Sequence, residues 1–220
     1  TPLTIVGIVN GQALDGQYVA DAYGPVLVGT ADDPKNLRAG RVLAGARVKK
    51  DVPYTLILKD ERKGFRSADL LQRVINLRFS QRKGVEQIGM ANAKSPELII
   101  LNVPNVYHQN QYRYFQVIER LQVVDTPQLR AQRQAKWAQE LLDPKTAGEA
   151  ALKLEGIGRN TIDTLKTGLA SDKPEVRFFA AEALAYLHDP SGVDVLARTA
   201  GERPDFRAYA LVALAAMDEP

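Results

Sequence analysis

The feature that most constrains this chain is an internal repeat near its C-terminus. Residues 170–187 read Ala-Ser-Asp-Lys-Pro-Glu-Val-Arg-Phe-Phe-Ala-Ala-Glu-Ala-Leu-Ala-Tyr-Leu, and the pattern returns thirty residues later as Ala-Gly-Glu-Arg-Pro-Asp-Phe-Arg-Ala-Tyr-Ala-Leu-Val-Ala-Leu-Ala-Ala-Met over 200–217. Pro174 aligns with Pro204, Arg177 with Arg207, Ala180 with Ala210, and Leu184 with Leu214. Self-similarity at this period predicts stacked helical pairs, because one pair cannot bury its apolar face without a neighbour. In such a stack Asp172, Asp189 and Glu202 fall in turns. Trp137, Leu141 and Leu142 belong to an opening helix at about 127–142 that caps the first repeat.

Upstream the punctuation is different. Residues 1–58 place Gly, Pro and Asp between short apolar runs at 3–9, 18–20, 25–28 and 54–58, which predicts strands. From Tyr54 the order reads strand, helix, strand, strand, helix, strand. A helix from an N-cap at Ser67 to Phe79 carries Ala68, Leu71, Val74, Ile75 and Phe79 at helical spacing. Strands follow near 85–90 and 98–103, a second helix near 110–121, and a closing strand at 122–124. The fold class is therefore α+β: an N-terminal mixed, β-rich region with a split βαββαβ unit, then an α-helical repeat domain. The boundary falls near residue 125, giving domains 1–124 and 125–220. Charge divides there as well: residues 1–123 hold 17 Lys/Arg against 11 Asp/Glu, and residues 124–220 hold 12 against 15.

Several chemistries find no residues to carry them. There is no cysteine, which excludes disulfides, thiolate catalysis and Cys-ligated metals within this chain. The two histidines, His108 and His188, lie in different predicted domains and support neither a metal set nor a triad. No phosphate-binding or nucleophile-elbow motif is present. The adjacent carboxylates Asp32-Asp33 and Asp60-Glu61 do not converge on a site. The chain is expected to be neither an enzyme nor a cofactor binder. No run approaches the roughly 18 to 20 apolar residues of a membrane helix, and no basic-then-apolar leader is seen in these 220 residues.

What remains is surface. Twelve Lys/Arg against four acids lie between Arg41 and Lys83. A solvated face is one reading, and contact with an anionic partner the other. The partner-binding candidates are Arg47, Lys49, Lys50, Arg62, Lys63 and Arg66, joined by the repeat arginines Arg177 and Arg207, which equally suit packing of their stems.

Three resemblances follow from these residues. The Pro-acid start, the Val/Phe-Arg pair and the Ala-rich Leu run resemble short bacterial HEAT-like repeats over about 145–220, a family that binds proteins. Residues 1–123 resemble the flagellar P-ring protein family through Thr1-Pro2-Leu3, Asp15-Gly16-Gln17-Tyr18-Val19-Ala20, Gly24-Pro25-Val26-Leu27-Val28-Gly29, Gly40-Arg41-Val42, Val52-Pro53, Ile75-Asn76, Val103-Pro104 and Phe115 to Val123. That resemblance implies a structural, assembly-type protein of the periplasm or cell envelope. Its partners would be proteins, copies of itself or flagellar ring and rod components, with the cell wall as a further surface. A non-flagellar envelope adaptor is the alternative. Finally, residues 154–165, with Gly156-Ile157-Gly158, are similar to the hairpin of helix-hairpin-helix DNA-binding domains. The same residues fall on the turn of a helical repeat in a net acidic half, which disfavours nucleic acid.

Overall fold

The computed structural model describes the backbone at residues 2–5, 8–9, 12–13, 17–23, 26–28, 40–42, 46–48, 53–83, 86–123 and 126–217, and side chains chiefly at 53–81, 87–123 and 126–217. The chain divides into two compact units, Thr1–Pro53 and Tyr54–Pro220.

The first unit consists of short antiparallel strands: β1 (Pro2–Ile5), β2 (Ile8–Val9), β3 (Gln12–Ala13), β4 (Gln17–Ala22), β5 (Val26–Val28), β6 (Gly40–Val42) and β7 (Ala46–Val48). They pair as β1-β4-β7, β2-β3 and β5-β6. The register of β1 against β4 shifts between Leu3 and Thr4.

The second unit opens with β8 (Tyr54–Ile57), α1 (Phe65–Arg78), β9 (Ser80–Lys83), β10 (Glu86–Gly89), β11 (Ala91–Ala93), β12 (Leu98–Leu101) and α2 (Gln111–Glu119). β12 lies between β11 and β8, antiparallel to both, and buries Ile99 and Leu101. That burial follows from strand alternation, which puts residues two apart on one face. α1 turns Ala68 and Ile75 inward, and Asn76 is bonded to both main-chain groups of Ala91, fixing helix to strand. Gly89 is required beside this contact, because a Cβ there would fall 2.4 Å from the Asn76 side chain.

The α+β class stands, with two details differing from the reading of a split βαββαβ unit. Two short strand pairs, β9–β10 and β11–β12, separate the helices, and Gln122–Val123 are not strand. The chain leaves α2 in a turn, with Gln122 donating to the Arg120 carbonyl at 2.9 Å and Leu121 beside Gly156 of the next helical pair, so it packs on helices rather than on the sheet. α1 also begins earlier than expected: Gly64 is its N-cap, and Ser67 lies inside the first turn.

The expected boundary near residue 125 lies at Val124–Asp125, outside the described residues. Beyond it come α3 (Pro127–Leu141), α4 (Ala147–Ile157), α5 (Ile162–Leu169), α6 (Pro174–Tyr186), α7 (Val193–Glu202) and α8 (Arg207–Ala216). α3 starts at an N-cap, Thr126, whose hydroxyl accepts from the Leu129 N–H, followed by Pro127 at the position that tolerates proline best. Trp137 and Leu141 are buried against Ala150, Leu154 and Leu165, as a capping helix requires. Leu142 differs from expectation and is half exposed, because it terminates the helix and falls off the apolar stripe.

α6 is the central helix. Its Ala180, Ala183 and Leu184 join the core under α3, α4 and α5, while Phe178, Ala181, Ala185 and Tyr186 join a second core that includes Ile75, Phe79, Tyr114 and Val117 from α1 and α2. A helix apolar on every side is the pattern of a fully enclosed one. Close approach needs small residues: a Cβ on Gly192 would meet the Ala181 backbone at 2.7 Å.

Candidate functional site

The densest polar arrangement lies where α2 meets α4 and α6. Arg113, 5% exposed, extends from α2 toward Glu155 of α4 and Glu182 of α6, which are 0% and 5% exposed. Its Nε and Nη2 donate to Glu155 Oε2 at 3.0 and 2.7 Å, and Nη1 lies 2.6 Å from Glu182 Oε2. Tyr107 donates to Glu155 Oε1 at 2.7 Å. The Arg113 guanidinium lies 4.6 Å over the Tyr186 ring, which stacks on Tyr107 at 5.0 Å.

One cation faces two carboxylates, and Glu182 has the fewer partners, one ion pair against three bonds to Glu155. Burial pushes the Glu182 carboxyl above the ordinary glutamate value, with Arg113 pulling it back. Burial opposes the Arg113 cation, but Glu155 and Glu182 outweigh it and hold its pKa above the usual arginine value. Burial raises Tyr107 well above the ordinary tyrosine range and Tyr186 to about 12. These bonds tie α2, α4 and the segment before α2 to α6, and the group is a fastener. Sequence reading missed it, since Arg113, Glu155 and Glu182 are separated by 42 and 27 positions and nothing in their local pattern marks them as buried.

The partner-binding candidates divide by what they already hold. Arg47 lies in β7, and Lys49 and Lys50 fall outside the described residues. Arg62 and Arg66 are exposed. Lys63 bridges Asp60 at 2.7 Å and Glu97 at 2.5 Å, and these bonds, Asp60 first, raise its pKa. Arg177 Nη1 donates to the Ser171 carbonyl at 2.8 Å, and Arg207 Nε donates to the Ala200 carbonyl at 2.7 Å. Arg207 therefore closes the last turn of α7, where carbonyls lack intrahelical partners and a cation is favourable, and Arg177 ties down the connection just past α5.

The exposed side of α1 has a different character. Arg66, Leu70, Arg73 and Leu77 recur at four, three and four positions and so share one face. Leu70 is 41% exposed and Leu77 87%. Phe65, at the start of the same helix, is 77% exposed.

Turns between paired helices each carry a residue of positive φ at the repeat spacing. α4 ends at Gly158 with φ 100°, and α6 runs out at His188 with φ 55°, thirty positions on. Thr161 Oγ1 donates to the carbonyls of Leu154 and Gly158, both at 2.9 Å, which closes the Gly156-Ile157-Gly158 segment as a helix-pair turn. Among the described residues no group of three His, Asp or Glu could hold a metal ion, and no helix is long and apolar enough to cross a membrane.

Comparison with known families finds two matches in the order the residues suggested. The HEAT repeat model matches residues 135–218, covering the helices from the later part of α3 to α8. Neither the curated proteins nor the solved structures give a match to the chain. The flagellar P-ring protein model matches residues 9–132, more than half of the sequence. With β3 to β12, α1 and α2 inside that match, the chain belongs to the flagellar P-ring protein family and carries HEAT repeats directly behind the family segment.

Proposed function

We propose that this protein is a structural, assembly-type component of the bacterial cell envelope that works through protein–protein contacts and catalyses no reaction. Residues 1–124 would act as the P-ring-like module and residues 125–220 as a repeat module presenting a second contact surface. The family membership supports the first part, and protein binding by HEAT repeats supports the second. The observation that carries the reading is the α1 face of Arg66, Leu70, Arg73 and Leu77. Apolar side chains this exposed, rimmed by cations, mark an interaction surface rather than an ordinary solvated one. Arg62 extends the same basic surface, and its partners are copies of this chain or ring and rod proteins.

The adaptor reading rests on one specific observation. The HEAT match begins three residues after the P-ring match ends, so a protein-binding array follows the family segment at once. Light scattering of the purified protein at low and physiological salt separates the two. Closed assemblies of many copies that dissociate in a Leu70→Glu/Leu77→Glu variant support the ring-type role. Burying each leucine is worth about 2 kcal/mol, so the pair shifts self-association by roughly a hundredfold or more. A monomer at every concentration leaves the adaptor role.

A further inference from the structure

Two cavities, of 580 and 400 Å³, adjoin where the C-terminal end of α1 meets the turns between the repeat helices. Arg78 and Arg159 line both. Arg120, Arg130, Arg133 and Lys153 add to the larger one, and His188 to the smaller. Neither cavity has an aspartate or glutamate among its lining residues. Concave surface lined by one sign of charge focuses the field and concentrates the opposite ion.

Three of these groups are set apart by how they are held. Arg78 Nε donates to the Glu155 carbonyl at 2.8 Å and its guanidinium lies 4.6 Å from the Phe79 ring centre, while Nη2 is buried without a hydrogen-bond partner. Such a donor is costly unless something answers it. The Arg159 guanidinium is exposed and forms no ion pair among the described residues. His188 has φ 55°, within the positive-φ region, thirty positions after Gly158. Few residues other than glycine take a positive φ, and histidine is among those that adopt it more readily. Partial burial, followed by the nearby Arg159 and Arg78 cations, keeps the His188 ring below the ordinary histidine value. All three side chains line the smaller cavity.

We propose that this junction binds the phosphate group of a small phosphorylated ligand, with Arg78, Arg159 and His188 as its donors. Donors lining one cavity from three separate elements suit a tetrahedral dianion, whereas a planar carboxylate is satisfied by a single side-on fork. The concave shape and limited volume suit a compact ligand of up to nucleotide size better than a duplex, which needs cations spread along an extended face. Arg120 and Lys153, each already paired with Glu149, contribute field rather than direct bonds.

The test is calorimetric titration of the full chain with inorganic pyrophosphate at constant ionic strength, beside citrate and a DNA duplex. Saturable binding is expected, weakened tenfold or more by Arg159→Gln and by His188→Asn, since a hydrogen bond to a charged group is worth that much. Asparagine tolerates the left-handed backbone and Arg159 is exposed, so both variants retain the fold, which circular dichroism verifies. Absence of saturable pyrophosphate binding overturns the proposal, as do affinities unchanged in both variants. Citrate binding as tightly as pyrophosphate overturns the phosphate assignment. Duplex binding that Arg159→Gln abolishes and pyrophosphate does not displace reassigns the surface to nucleic acid.

Discussion

Replacing Arg113 by methionine tests the fastener between α2, α4 and α6 directly. Methionine fills much of the stem volume, so the change removes the charge and its donors without a large void. Glu155 then loses both bonds to Oε2 and retains only the Tyr107 hydroxyl at Oε1, while Glu182 loses the ion pair at 2.6 Å. Leaving buried carboxylates uncompensated costs about 3–5 kcal/mol, a large share of the 5–15 kcal/mol by which a domain is typically stable. The loss is expected to depend on pH. An acid whose pKa is raised by folding supports the native state fully below its unfolded value, and that support is lost as pH rises through the folded value. Burial raises Glu182 already, and without Arg113 it rises further. The deficit is therefore greatest near pH 7 and shrinks toward pH 5. Urea denaturation followed by circular dichroism at both pH values measures it. Adding Glu155→Gln and Glu182→Gln recovers most of the loss, because the neutral amides need no cation and Gln at 155 still accepts from Tyr107. A deficit below about 1 kcal/mol at pH 7 refutes the reasoning, as does one identical at both pH values.

Three further outcomes follow from packing and caps. Tyr114→Phe is expected to leave thermal stability unchanged or raise it by about 1 kcal/mol, because the Tyr114 hydroxyl is buried without a partner; a clear loss on calorimetry contradicts that. Gly192→Ala puts a methyl 2.7 Å from the Ala181 backbone and is expected to cost about 1–3 kcal/mol by chemical denaturation. Arg207→Ala removes two bonds to the final carbonyls of α7 and is expected to speed amide hydrogen exchange at the α7 end, with a global loss of about 0.5–1 kcal/mol.

The repeat was legible because its period is written in side chains that pack. Ala180 and Ala210 are both buried, and Arg177 and Arg207 reach back to equivalent carbonyls. Pro174 and Pro204 align in sequence yet behave differently: Pro174 starts α6, whereas α8 begins only at Arg207, after a turn in which Arg203 pairs with Asp205 at 2.8 Å. Local pairing of that kind is invisible to periodicity. The strand expected near 85–90 coincides with β10, whereas β9 and β11 went unread because Ser80-Gln81-Arg82-Lys83 is polar and Ala91-Asn92-Ala93 is short, leaving no apolar alternation to read. The buried ion group and the cation-lined cavities were unreadable for a different reason. Each is assembled from elements far apart in sequence, and Arg113 or Arg78 looks locally like any solvated helix arginine.

The double-sided burial of α6 makes the α1–α2 region and the repeat helices one thermodynamic unit. Cooperativity must then run through Phe178, Ala181 and Tyr186 on one side of the helix and Ala180 and Leu184 on the other. The chain has a single tryptophan, Trp137, and it sits on the α3 side of that helix. Its fluorescence is consequently a spectroscopic reporter for damage made far away, at Ile99 or Tyr114, in a sheet and helix it does not touch.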